Sequence, residues 1–325
     1  MTKHNSMSTL RIRLKRVAFM AMKLAIVFGA GFFIYKKLLH NDTLDFDYFL
    51  KLLHDNMVIT PTNISILIAF SLLNWSLESL KWRTLVHEIK EISSTEAIKQ
   101  SLSSLTTSII TPNRVGEYGA KAIYYPRVSR KKILGLNLVG NLFQLGATLI
   151  FGLIGLLYVV NTYEIPVFYY KALRFGVLGI VFLFFFFTYS SRKKHTIKGY
   201  SFSKISRFFK SLKGQTIFVT GALSVLKYLV FSHQFYFLIW LFGIDVSYLE
   251  AMAFITSMYL LVSVIPTIFI LDVIVKGSVA VWLFSFVGAN EFIVLAITTV
   301  MWIFNFAFPA TIGSYFVLNF KLNQE

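Results

Sequence analysis

The sequence contains no cysteine, which excludes disulfides, cysteine-ligated zinc and iron–sulfur clusters. Proline is sparse, with six in 325 residues, so each one marks a place where a helix is broken or begun. Charged residues make up 14% of the chain, and 15 acids face 32 bases. The shortage of acids leaves a formal net charge of +17. In a soluble protein that charge would suggest nucleic acid. Here Lys and Arg gather in a few loops between apolar runs, which is the positive-inside bias of membrane proteins, and no nucleic-acid partner is expected. The signatures of common catalytic sites are also missing: there is no P-loop, no His-Glu-x-x-His and no Gly-x-Ser-x-Gly. The six histidines are scattered, and His233 alone reads as a packed polar residue. No catalytic residue, metal site or cofactor is assigned.

What is plentiful is apolar: 56% of the residues are hydrophobic and the mean hydropathy is +0.66. Several runs are long enough to cross the hydrocarbon core of a bilayer. The predicted fold is an all-α polytopic membrane protein, a single integral domain over 1–325, with about six transmembrane helices and two re-entrant helical hairpins. The spans are Val17–Tyr35, Thr62–Leu80, Ile133–Val160, Tyr169–Tyr189, Thr216–Phe242 and Phe292–Phe320. A basic run, Arg11–Arg16, precedes the first span and no small-residue cleavage site follows, so that span reads as uncleaved. Lys23 within it snorkels to the surface.

Loop charge sets the orientation. Lys36–Pro61 balances its bases with Asp42, Asp45, Asp47 and Asp55 and reads as external, as do Asn161–Phe168 and Ser285–Glu291. Lys81–Gln100 carries Lys81, Arg83, Lys90 and Lys99 and reads as cytoplasmic. The basic loop 191–214 is cytoplasmic too. Within it Phe202, Ile205, Phe208, Phe209 and Leu212 recur at helical spacing, which predicts an amphipathic helix against anionic lipid of the inner leaflet. Both termini are then cytoplasmic, in the cytoplasmic (inner) membrane.

One polar stretch stands out among these runs. Ser101–Tyr125 places Pro112, Arg114, Glu117 and Lys121 close together, and basic loops flank it on both sides. Polar backbone at bilayer depth is tolerated only inside protein or against a wet cavity. The stretch must enter and return, giving a first hairpin over about 95–126 that breaks at Pro112. A second copy covers about 249–285. Glu96-Ala97 precedes Pro112 at the spacing with which Glu250-Ala251 precedes Pro266, and Ser103 matches Ser257. With one residue inserted, Glu117 aligns with Asp272 and Lys121 with Lys276. The flanks of the second copy are not basic, so its mouth faces outside, and the pair reads as an inverted-topology repeat of the kind that holds a substrate near the midplane.

Each copy pairs an acid with a base four residues on, the favoured order on a helix. Buried ionisable groups in spans are usually functional. Arg114, with no counterpart in the second copy, suits a phosphate. The expected binding residues are Arg114, Glu117, Lys121, Asp272 and Lys276, converging on one cavity. Asn141 and Gln144 line it from a helix face shared with Asn137, and Lys227 and Asn305 complete it.

The sequence TPNRVGEYGAKA, after a span ending SLESLKWR, resembles the membrane domain of the lysylphosphatidylglycerol synthetase/flippase family. The likeness rests on a Pro-x-Arg-x-Gly-Glu motif matched by Pro112, Arg114, Gly116 and Glu117. The family's second motif, Pro-Gly-Gly-x-Gly with a basic–acidic pair, appears here as IPTIFILDVIVKGSVA, where Pro266 remains and the glycines are replaced. No segment resembles the family's soluble aminoacyl-transfer domain. The resemblance implies lipid translocation, with membrane lipids, anionic ones above all, as partners, or an auxiliary role beside a separate synthase. A homodimer is compatible with either. The alternative is a membrane-embedded glycosyl- or aminoacyl-lipid transferase using Asp45 and Asp47 of the first external loop.

Overall fold

The computed structural model describes residues 46–109, 111, 115–163, 196–197, 200–264 and 269–320, with scattered positions between 20 and 32. The predicted spans Val17–Tyr35 and Tyr169–Tyr189 lie largely outside the described residues, as do Pro112, Arg114 and Pro266. The described chain is helical apart from a two-residue ladder that pairs Thr196–Ile197 with Tyr200–Ser201. In order the helices are α1 Phe46–Asp55, α2 Pro61–Val86, α3 Ser94–Ile109, α4 Val115–Ile123 and α5 Arg130–Thr162. They continue with α6 Phe202–Ser211, α7 Gly214–Leu241, α8 Tyr248–Val264 and α9 Phe269–Phe284. The last is α10 Glu291–Trp302, continued through a π-helical turn Ile303–Ala307 into α11 Phe308–Asn319. Four of these are long and apolar enough to cross a membrane: α2, α5, α7 and the continuous Glu291–Asn319 unit.

Local chemistry sets the helix starts. Thr60 caps α2 by accepting from the Asn63 amide, with Pro61 at the first helical position, where its missing N–H costs nothing. Both α3 and α8 begin with a reciprocal capping box. Ser93 Oγ accepts from the Glu96 amide while Glu96 accepts from the Ser93 amide. Ser247 and Glu250 do the same. Helix α1 falls inside the segment expected to be an external loop. Its Phe49 and Leu53 point inward and bury against the bundle, which explains why an acid-rich segment folds.

The order of helix types repeats. Short α1, long α2, two short helices and long α5 are followed by short α6, long α7, two short helices and the long α10–α11 unit. Helices α3 and α8 start at 94 and 248, and α4 and α9 at 115 and 269, an offset of 154 residues in both cases. Packing follows the same scheme with the halves exchanged. Helix α8 packs on α5 and α3 on α11, α6 touches α5 as α1 touches α10, and α2 and α7 pack on each other. Small residues permit the two close crossings. A Cβ on Gly155 of α5 would collide with Thr256 and Ala253 of α8, and one on Gly313 of α11 with Leu102 and Thr106 of α3. Thr106 also donates to the Ala310 carbonyl at 2.9 Å, tying α3 to α11.

Candidate functional site

Helix α2 runs six residues beyond the predicted span end at Leu80, because nothing between Glu78 and Val86 breaks it. Trp75, Glu78 and Lys81 follow one another at three-residue steps and so share a face. Lys81 is therefore not a loop residue, as its charge suggested, but a buried one. Its Nζ lies 2.8 Å from Glu78 Oε2. Lys227, from α7, reaches the same carboxylate oxygen, and Lys121 Nζ, from α4, lies 3.9 Å from Oε1. One carboxylate thus gathers three ammonium groups.

Lys121 is held from several sides. It sits 3.0 Å from Glu117 Oε1, one helical turn earlier, and donates to Asn137 Oδ1 at 2.9 Å. Its ammonium also lies 4.5 Å from the centroid of the Trp82 ring, a cation–π contact that suits a desolvated cation. Asn141, one turn along α5 from Asn137, donates to the Tyr118 hydroxyl at 2.9 Å. Gln144 bridges Lys81 and the Ser224 carbonyl, both at 3.5 Å. Glu78, Glu117, Lys81 and Lys121 are buried, whereas the Lys227 side chain keeps 20% of its exposure.

Glu78, Lys81, Glu117, Lys121, Asn141, Gln144 and Lys227 line a cavity of about 60 Å³, room for roughly four waters. Serines 101 and 104 of α3 complete its wall. Its formal balance is three bases against two acids. Buried charges persist only by compensating one another, since each one alone would carry a desolvation cost of several kcal/mol. Two polar atoms at the site are buried without a hydrogen-bond partner, the Ser101 hydroxyl and Asn137 Nδ2.

The expected site residues separate into groups. Glu117, Lys121, Asn141, Gln144 and Lys227 line this one cavity. Asn305 sits in the π turn, whose irregular bonding leaves backbone carbonyls for other donors. Trp75 Nε1 donates to the Asn305 carbonyl at 3.0 Å and Ser71 to that of Phe304. The Asn305 side chain accepts from Asn74 at 3.1 Å and donates to Gln234 at 2.8 Å. Lys276 lines a second cavity, with its Nζ 5.1 Å from the Phe306 ring centroid. Asp272 belongs to α9, but its side chain, like Arg114, lies outside the described residues. His233 bonds the Leu229 carbonyl and the Tyr248 hydroxyl, as befits a packed polar residue.

Sequence reasoning missed Glu78 and Lys81 as members of the cavity. The three-residue spacing of Glu78 and Lys81 in SLESLKWR is the available signal, masked by the likeness of Lys81 to the loop bases that follow it. Among the described residues no cluster of three or more His, Asp and Glu is arranged to hold a metal ion.

A charge-lined cavity whose walls include α2, α5 and α7, three helices long and apolar enough to cross a bilayer, defines a multi-pass membrane protein. More particularly, the chain belongs to the Lysylphosphatidylglycerol synthase TM region family, whose sequence model matches residues 17–313. A search among curated proteins returned no match. Family membership gives the chain a membrane lipid-related role.

Proposed function

We propose that the protein is a lipid flippase of the cytoplasmic membrane, moving a lipid with a phosphate-bearing headgroup between leaflets. The observation that carries this reading is the shared carboxylate: three ammonium groups meet at Glu78 within a cavity of net positive formal charge. A phosphate competes with Glu78 for these donors. Lys227 is the member that yields first, because its side chain is the least buried of the three lysines. The Ser101 hydroxyl in the cavity wall and the Asn137 Nδ2 amide close to it are further donors buried without a hydrogen-bond partner. Arg114, three residues before Glu117 in the family motif, is assigned to the same phosphate on sequence grounds.

The architecture proposed around this site is six spans and two re-entrant hairpins, α3–α4 and α8–α9, in two halves of inverted topology with both termini cytoplasmic. The constant offset of 154 residues and the exchanged packing of the halves support it. An odd number of crossings per half is what inverts the second, and inverted halves provide alternating access to a site between them.

The test is lipid movement in proteoliposomes, using fluorescent phosphatidylglycerol and an impermeant quencher. Lys227→Gln and Arg114→Gln are expected to slow movement at least about tenfold, as the loss of a charge-assisted contact implies, with folded protein retained. Movement at the wild-type rate in both variants would remove the site.

A further inference from the structure

Hydrogen-bonding capacity around the Glu78 carboxylate is uneven: acceptors are largely engaged and donors are left over. Two acids stand in the cavity wall. Glu78 already meets three ammonium groups, and Glu117 meets Lys121 at 3.0 Å. The amide oxygens are turned the same way. Gln144 Oε1 accepts from Lys81 at 3.5 Å, and Asn137 Oδ1 accepts from Lys121 at 2.9 Å. The Ser104 hydroxyl donates to the Ser101 carbonyl at 2.8 Å. The two polar atoms buried here without a partner, Ser101 Oγ and Asn137 Nδ2, both carry protons to donate.

We infer that the Glu78 cavity selects, among phospholipids, those of net negative charge whose headgroup carries no ammonium beyond the phosphate, phosphatidylglycerol being one of this kind. The inference deepens the flippase reading and rests on it for the ligand being a lipid. An ammonium brings three donors and no acceptor. In this cavity it needs acceptors that the lysines already hold, and it stands as a further cation beside theirs. A phosphate diester does the reverse. Its oxygens accept from Lys227 and from the unpartnered Ser101 and Asn137 donors, and its single charge cancels the excess of one base over the lining acids.

A zwitterionic headgroup leaves the excess in place, because its ammonium offsets its phosphate. The lysyl ester of phosphatidylglycerol, with two ammonium groups, adds to it. The small volume sharpens the distinction. The cavity measures about 60 Å³, and the ammonium of an ethanolamine headgroup stands two carbons from its ester oxygen, so a phosphate among the lysines brings that ammonium close to them. Away from water, like charges at such distances are little screened. Lys227 sets the excess. Without its charge two bases face two acids, and a net-negative headgroup loses its advantage over a neutral one.

The full-length chain is purified in an uncharged detergent. Binding of dihexanoyl phosphatidylglycerol, its lysyl ester and dihexanoyl phosphatidylethanolamine is measured by titration calorimetry. Phosphatidylglycerol is expected to bind at least about tenfold more tightly than phosphatidylethanolamine, and the lysyl ester to bind most weakly. In Lys227→Gln the ratio between the first and the ethanolamine lipid is expected to fall several-fold, through weaker binding of phosphatidylglycerol. Equal affinity for these two lipids in the wild-type chain overturns the selection, as does tighter binding of the lysyl ester. An unchanged ratio in folded Lys227→Gln overturns the excess base as its cause. Glycerophosphoglycerol, the same headgroup without acyl chains, is expected to compete more weakly than the lipid, and equal competition would assign the cavity to a free phosphodiester. In vesicles, equal rates of movement for fluorescent forms of all three lipids overturn the selection and leave the flippase reading standing. Selective binding without movement of any of them sinks the flippase reading and leaves the selection.

Discussion

At the scale of single residues, Glu78 decides whether the charged cavity is stable. Its carboxylate faces Lys81, Lys121 and Lys227, and no other acid at the site meets more than one of them in the described ion pairs. Glu78→Gln leaves Glu117 to balance three ammonium groups. Removal of one partner from a buried pair costs about 3–5 kcal/mol, so the variant is expected to unfold at a markedly lower temperature in detergent. The discriminating variant is the double one, Glu78→Gln with Lys227→Gln. If the two side chains are coupled as the geometry has it, the double variant is more stable than Glu78→Gln alone, a non-additivity of the kind contacting charges show. Thermal unfolding followed by size-exclusion fluorescence measures this, and simple additivity would mean that Lys227 does not depend on Glu78. Part of this cluster was legible in the sequence. Glu117 and Lys121 stand four apart, as do Asn137 and Asn141, and helical periodicity alone puts each pair on one face. Lys227 was legible as a charge in a span, but its partner was not. Glu78 is 149 residues away, and only the packing of α2 on α7 brings them together.

At the scale of the helix, the capping boxes of α3 and α8 bear on the repeat more directly than the hairpin breaks do. Ser93 with Glu96 and Ser247 with Glu250 close the same pair of hydrogen bonds at equivalent helix starts. Ser93→Ala and Ser247→Ala are each expected to cost about 1 kcal/mol, the usual value of such a cap. Because the two caps share no hydrogen-bond partner, their effects should add in a double variant. Thermal stability in detergent tests both statements, and an effect from one serine alone would mean that the two helix starts are not equivalent. The sequence carried the Ser-x-x-Glu spacing at both places, and Glu96 and Glu250 already anchored the repeat. Helix α1 shows the opposite case. Phe46, Phe49, Leu50 and Leu53 have the spacing of an apolar face, yet the four aspartates around them made the segment read as a loop. The π turn at Ile303–Ala307 had no sequence signal, because it depends on Ser71, Asn74 and Trp75 supplying partners from another helix.

At the scale of the whole molecule, two independent patterns meet. Loop charges assign opposite orientations to the α3–α4 and α8–α9 pairs, and the packing exchanges partners between the halves: α3 rests on the last helix of the second half and α8 on the last helix of the first. Exchange of that kind is what the proposed pseudo-two-fold relation would produce whether the halves are inverted or parallel, so the loop charges alone carry the inversion. The four long apolar helices were readable because hydropathy is a property of the chain alone. The reciprocal contacts were not, because they depend on glycines such as Gly155 and Gly313, which signify nothing until the facing helix is known. The inverted reading makes a prediction about sidedness that the missing cysteines make easy to test, since any cysteine introduced is the only one in the chain. Cysteines placed at Asp45 and Ala289 are expected to react with an impermeant maleimide in intact cells. Cysteines at Ser94 and Ser203 are expected to react only after the membrane is permeabilised. The informative pair is Ser94 and Ala289, which flank the first and second hairpin units. A parallel repeat would put both on one side, and an inverted one puts them on opposite sides. Labelling of Ser94 from outside would reverse the orientation, and labelling of both from the same side would leave the two halves parallel, with no alternating access between them.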